Sequence, residues 1–402
     1  MIKAGMPFAG LYTLTGETLN EPLRRGMKNL GISPDRKRIQ KQRIDMAHEG
    51  RRLDYLPTRA DLRWWFAEHI NDGNLDQAIA GIDIEKVYES SFLAGSFEKP
   101  FIAEPIPTVV EQEVWTGPAI SYRNGGYPGS TRRIVLKTPI GTVSAAESYA
   151  GRSFGVSEYP VKSIDDLKVV LYIYEQYARQ NDLESGSLWV PLTPFQNLMV
   201  HLAGVQAGSY LLSDDRDEVE YFMHALDDLQ TPILQRAARE HDVLFSCENF
   251  TSDVSTGFFE AYLQEQLSKR SHIAANHGKL YGVHLDGKIM PLLSLLADAG
   301  VGIVNGLTAF PAGDLDPLLI RQAAGPGMVL IDMIPQCIFM EEYDLNAFID
   351  YIETISSFYK DDNRIIFGIG DMMPISCDMN RFVTMLDIIR KNTNSKRRIF
   401  GH

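Results

Sequence analysis

Leu280-Tyr281-Gly282-Val283-His284-Leu285-Asp286-Gly287 is a short apolar run that closes on an imidazole and a carboxylate, and a helix-length segment at 288–299 follows it. The same unit recurs on both sides. Apolar runs at 301–304, 328–331 and 365–369 lie downstream, and runs at 188–192 and 243–247 lie upstream. Between them the apolar spacing predicts helices over 195–212, 215–240, 256–277, 288–299, 315–324 and 341–359. Short apolar strands alternating with helices form a parallel sheet covered by helices. A run near 53–57 adds a seventh strand, and no eighth stands out. Ser163 with Asp166 opens a further helix in capping-box fashion, with Ile164, Leu167, Val170, Leu171 and Tyr174 on one face.

Ahead of this regular region the chain is less periodic. Residues 34–50 read as a charged helix within an N-terminal arm. Residues 100–150 hold Pro105, Pro107, Pro118, Pro128, Pro139 and many glycines between β-branched runs such as Ile134-Val135-Leu136, the pattern of inserted hairpins.

Several runs end in polar groups: Glu248-Asn249, His284 with Asp286, Asn305 with Thr308, Asp332 and Asp371. In a barrel the C-terminal ends of the strands share one mouth, which carries the chemistry. The alternative is that Asp and Asn at strand ends cap the next helix. Glu248 and His284 are poor caps, so a convergent pocket is the better account.

Composition narrows the function. The 402 residues carry a net charge of −13, against a nucleic-acid binder, which needs a basic footprint. The cluster Arg36 to Arg43 reads as a solvated helix face. Three distant cysteines, Cys247, Cys337 and Cys377, make neither a disulfide framework nor a zinc ribbon. No apolar stretch nears the roughly 18 residues of a membrane span, and the N-terminus is a poor signal peptide; a cytoplasmic protein is expected. Gly368-Ile369-Gly370 lacks the third glycine of a dinucleotide loop, His272 and His277 lack HExxH spacing, and no GxSxG elbow occurs.

Four stretches carry a resemblance. Gly282-Val283-His284-Leu285-Asp286-Gly287-Lys288 with Pro291-Leu292-Leu293, Leu307 to Asp314, Cys247 to Asp253, and Phe367-Gly368-Ile369-Gly370-Asp371 are similar, in the same order, to motifs of the uroporphyrinogen decarboxylase-like superfamily. Thr138 to Thr142 and Glu158 to Ser163 also match its recurring phrases. The resemblance implies an α/β fold: a distorted (β/α)8 TIM-type barrel over 51–402, with an N-terminal helical arm over 1–50 and an inserted β-hairpin region at about 100–155.

Arg51 to Pro57 lacks the core of the arginine-rich fingerprint of true decarboxylases, which points to the cobalamin-linked methyltransferase branch. That branch holds zinc with His-x-Cys and a later Gly-Cys. Here His284 matches the histidine, while Asp286 and Asp371 stand where the cysteines would be. Two thiolates suit a soft metal and a thiol acceptor; an imidazole with two carboxylates is a harder site, suited to polarising an ether or carboxylate oxygen.

The resemblance therefore implies transfer of a methyl group from a small methoxylated or methylated substrate to the corrinoid of a partner protein, with a homodimer as the expected assembly. His284, Asp286 and Asp371 are the candidate ligands of a divalent metal, zinc first, and with Glu248 the candidate catalytic groups. Asn249, Asn305, Thr308 and Met373 are the candidate substrate contacts, although Met372 and Met373 read more readily as core than as an apolar wall of the site. The alternatives are a decarboxylase or lyase on a small acid, which would draw on Arg123, Arg132 and Arg133, and a non-catalytic ligand-binding barrel.

Overall fold

The turn-rich stretch before residue 160 forms four antiparallel strands in the computed structural model, which describes residues 34–91, 107–116, 130–150, 153–180 and 189–394. β1 (Val110–Thr116), β2 (Thr131–Thr138), β3 (Gly141–Ala150) and β4 (Ser153–Glu158) pair in sequence order, as successive hairpins do. Val143, Ala145, Ala146 and Glu147 are buried along β3, the alternation breaking at the register shift between Ala146 and Glu147. Glu147 faces Arg132 directly across the β2–β3 ladder, and burial pushes its carboxyl up to about 7.

The chain divides into two compact units. The first takes its described residues from Glu98–Glu248 and Ala261–Lys279, and so holds β1 to β4. It also contains β5 (Val243–Ser246), whose Phe245 makes a parallel bridge to Trp189. The expected capping box forms in part: Asp166 N donates to Ser163 Oγ, while Asp166 Oδ2 accepts from Lys162 N, one residue before the cap, starting helix Ile164–Gln180. Segment 195–212, expected as one helix, is broken by a π turn at Leu198–Leu202; a second π turn at Phe259–Leu263 divides 256–277. Neither break has a proline to announce it.

The second unit takes Leu19–Phe97, Asn249–Glu260 and Leu280–His402. Here β6 (Leu280–His284), β7 (Ile303–Leu307), β8 (Val329–Ile334) and β9 (Ile365–Ile369) run parallel in that order. Every residue of β8 and β9 is buried, the state of parallel strands covered on both faces. The strand expected at 53–57 falls slightly later: Thr58 bridges Phe367 and Asp61 bridges Met372, both parallel, so 58–61 lies beside β9. Ala60 in turn bridges Ser91, a position with no apolar run to mark it. Among the described residues the second unit thus has six parallel strand positions, and the first has two, at Trp189 and β5.

Helix Leu345–Phe358 buries Phe348, Ile352 and Ile355 and packs against helix Met379–Asn394. Asp344 caps its start, accepting from Ala347 N. Among the described residues no helix is long and apolar enough to cross a membrane. Of the N-terminal arm, helix Pro34–His48 is described.

Candidate functional site

Parallel pairing carries the C-terminal ends of β6 to β9 and of segment 58–61 to one edge of the second unit. Register fixes which residues meet there. His284, the last residue of β6, pairs with Asn305, and Leu307 pairs with Asp332. Asp371 follows β9 by two residues. One ligand atom each from His284, Asp286 and Asp371 lies within 4.8 Å of the other two, a spacing open to a single metal ion.

The imidazole is held on both sides. Asn305 Oδ1 lies 2.8 Å from His284 Nδ1, and Asp286 Oδ2 lies 3.2 Å from Nε2. Burial lowers the affinity of the ring for its second proton. The hydrogen bond and charge of Asp286 outweigh it, and His284 stands at about 9. Asp371 is the exposed member of the group; burial of its carboxyl, then the neighbouring Asp286 charge, lift it to about 6.

A divalent ion fits this donor set. Asp286 Oδ1 is buried with no hydrogen-bond partner among the described residues, although an unsatisfied carboxylate oxygen is costly. An imidazole with two carboxylates is a borderline-hard set, competent for Zn²⁺ and also for Mn²⁺ or Fe²⁺.

Behind the triad stands a second layer. Asp332, in β8, accepts from Asn305 Nδ2 and from Gly306 N with the same oxygen, Oδ2. Burial pushes this carboxyl up to about 8 against the pull of the Gly306 amide. Arg59 and Arg63 were not foreseen. Burial lowers Arg59 to about 10, against the charges of Asp332 and Asp61. Arg63 forks onto Asp61 through Nε and Nη2 and feels the charge of Asp371. The signal was Arg59, Asp61 and Arg63 at alternate positions, obscured because the strand was expected a few residues earlier. Gln336 was also missed; its buried Oε1 has no partner and faces the backbone at Gly370.

The other expected site residues divide. Asn305 is in the cluster, with both ends of its amide engaged, one by His284 and one by Asp332. Thr308 is buried, its hydroxyl donating to Gly306 O. Met373 is fully buried and its amide donates to Asp61 O, the setting of a packing residue. Asn249 is exposed at φ 44°, its amide donating to His284 O at the end of β6.

Glu248 belongs to the first unit, wholly buried. Its Oε1 accepts from Thr193 N at 2.9 Å and Ser246 Oγ at 2.6 Å, and its Oε2 from Thr193 Oγ1 at 2.7 Å. Arg270 Nη1 lies 3.8 Å away. Arg132 and Arg133 pair with carboxylates in the first unit's sheet, Arg132 with Glu113 and Glu147, Arg133 with Glu158. Arg123 lies outside the described residues.

No protein-family model matches the chain, and no curated protein matches it. Among solved structures the chain is similar to a methyltransferase from Methanosarcina mazei, at 12% identity and a TM-score of 0.47, over 88% of this chain and 98% of that one. It is also similar to a D-psicose 3-epimerase crystallised in the presence of D-fructose, at 9% identity and a TM-score of 0.29, over 58% of this chain and 94% of that one. Both scores are too low to establish a shared fold.

Proposed function

We propose that His284, Asp286 and Asp371 hold one divalent metal ion, zinc being the first to test. In this reading the chain is a methyltransferase that moves a methyl group from a small methoxylated or methylated substrate to the corrinoid of a partner protein. The observation that carries the metal is the triad itself: three ligand atoms within 4.8 Å beside a buried, unpartnered Asp286 Oδ1. Methyl transfer is supported by the resemblance of the motifs around these residues.

The chemistry needs such a site. An ether that gives up its methyl group leaves an alkoxide or phenoxide, which departs slowly unless its charge is drawn off. A bound metal ion supplies that as a Lewis acid. The chain supplies the rest. His284 and one oxygen from each aspartate would hold the ion, with Asn305 fixing the ring from behind. Arg63, close to Asp371, balances part of the site's negative charge. A second reading has its own support: with Asp286 holding His284 protonated to about 9, the imidazolium can donate a proton to the leaving oxygen without a metal.

The wider proposal is a distorted (β/α)8 barrel, which the motif resemblance implies and the parallel run of β6 to β9 supports. A cytoplasmic location and a corrinoid-protein partner belong to the same proposal.

The test is metal content of the purified protein, wild type beside His284→Ala. About one equivalent of zinc or a similar ion in wild type, absent from the variant, is the expected result. Equal metal content in the two proteins, or none in either after zinc is supplied, refutes the metal site. In the latter case the proton-donor reading predicts methyl transfer that is indifferent to chelators.

A further inference from the structure

The backbone around Asp332 is distorted well beyond what a parallel sheet needs. Asp332 and Met333 are consecutive residues inside β8 with φ of 86° and 70°. Non-glycine residues avoid this left-handed region, because Cβ there crowds the backbone. The β7–β8 register slips between Val304 and Leu307, where Gly306 takes φ 84°. On the other side, a Cβ at Gly368 would lie 2.3 Å from Asp332 Oδ1 and from Arg59 O, so β9 can pass only as glycine. Three strands are therefore bent, slipped or stripped of a side chain around one buried carboxylate, which is not itself one of the three grouped ligands.

The carboxylate sets the direction of an amide. Asp332 Oδ2 takes hydrogen bonds from Asn305 Nδ2 and Gly306 N. With its NH2 turned to Asp332, Asn305 presents Oδ1 to His284 Nδ1. A carbonyl oxygen only accepts, so Nδ1 must carry the hydrogen, and the neutral ring keeps its lone pair on Nε2, toward Asp286. Turned the other way, the amide would offer N–H to Nδ1 and select the opposite tautomer, leaving Nε2 protonated and unable to ligate.

We propose that Asp332 is a positioning residue which, through Asn305, locks His284 in the Nδ1–H tautomer and so gives the triad its nitrogen ligand. The tautomer stands on the bonds from Asp332 through Asn305 to Nδ1, which oppose the pull of Asp286 Oδ2 on an Nε2 proton; its consequence for metal affinity rests on the metal site proposed above. Partners of this kind behind a ligating histidine commonly alter metal affinity 10- to 100-fold.

The test compares Asp332→Asn, Asp332→Ala and Asn305→Ala with wild type. Protein carrying ¹⁵N-labelled histidine, metal-free and above the pH at which His284 loses its second proton, reports the tautomer, with His284→Ala assigning the signal. Zn²⁺ competition titrations report affinity, each on protein shown to be folded by circular dichroism. In Asp332→Asn the new amide oxygen can stand where Oδ2 does and keep both bonds. That variant is expected to retain the tautomer and a Kd within about threefold of wild type. Asp332→Ala is expected to mix the tautomers and weaken Zn²⁺ about 10- to 100-fold.

An unchanged tautomer in folded Asp332→Ala overturns the proposal, as does equal loss in Asp332→Asn. Should Asp332→Ala fail to fold, Asn305→Ala decides, because it deletes the acceptor directly: an unshifted tautomer there overturns the relay. A shifted tautomer in a protein that takes up no Zn²⁺ at all upholds the relay and sinks the metal reading instead.

Discussion

Glu248→Gln separates a catalytic acid from a structural one. The change keeps the shape of the side chain and removes its charge. In the first unit that charge faces Arg270, and both side chains are 0% exposed. Arg270 would keep its bonds to Pro191 O, Leu192 O and Gln230 Oε1, all neutral. The buried guanidinium would lose the carboxylate 3.8 Å from Nη1. Removing one partner of a buried pair costs about 3–5 kcal/mol. The amide oxygen of the variant can still accept from Thr193 N and Ser246 Oγ, so a loss near 3 kcal/mol, roughly the lower end of that range, is expected. Glu248→Ala, which also strands the donors of Thr193 and Ser246, should lose about 5 kcal/mol. Against a total of roughly 5–15 kcal/mol, either change is visible as a shifted urea midpoint. Zn²⁺ uptake by the folded fraction should be unaltered. A Glu248→Gln protein within about 0.5 kcal/mol of wild type that has lost Zn²⁺ uptake or methyl transfer would refute this reasoning and return Glu248 to the reacting groups.

The metal-free protein should lose stability as the pH rises. His284 moves from 6.5 to about 9 on folding, so its contribution is full below pH 6.5 and lost by about 9, worth about 3 kcal/mol. Asp332, raised from 3.8 to about 8, slopes the same way, because the folded state favours its neutral form and that advantage disappears as the pH climbs. Urea unfolding in chelator at about pH 6 and about pH 9, on either side of the His284 window, checks the sign; a protein more stable at the higher pH contradicts it. Asp371→Asn should act oppositely on stability and binding. It removes a carboxyl raised to about 6 beside Asp286 and places Asn, a side chain well suited to left-handed backbone, at φ 63°. With the side chain open to solvent, a gain of roughly 1 kcal/mol near neutral pH is expected in the metal-free state, together with loss of tight Zn²⁺ binding, both read in one thermal-shift titration.

Much of this was legible in the chain because apolar periodicity and strand direction are local properties. The runs at 280–285, 301–304, 328–331 and 365–369 announce parallel strands, and once strands are parallel, the groups at their C-terminal ends must share an edge. His284, Asp286 and Asp371 meet for that reason. Glu248 shows where the argument stops. It ends a run just as His284 does, yet its side chain turns inward to the nearby Ser246 and to Thr193 and Arg270, and the last two are partners distant in sequence. Segment 58–61 was displaced because Arg59 and Asp61 interrupt the apolar signal there, and Ser91 offers none. Asp332 was read as a strand end because left-handed backbone inside a strand leaves no mark in composition, whereas β8 runs on to Ile334.

Where the strain falls says what the second unit is built to hold. Among the described residues the non-glycine positions with positive φ are Asn249, Asp332, Met333 and Asp371. Each is at, or next to, a group that contacts or supports the triad: Asn249 N bonds His284 O, Asp332 orients Asn305, Met333 follows Asp332, and Asp371 is a proposed ligand. A sheet selected for stability alone would place glycine at these positions, as this chain does at Gly278, Gly300 and Gly325, where the turns carry no chemistry. Keeping carboxylates at 332 and 371 costs backbone energy and the desolvation that raises both groups. Such a cost persists where the side chain is needed for something other than folding. Strain, orphaned Asp286 Oδ1 and a fixed imidazole coincide at one strand edge, and a ligand-holding site accounts for all three.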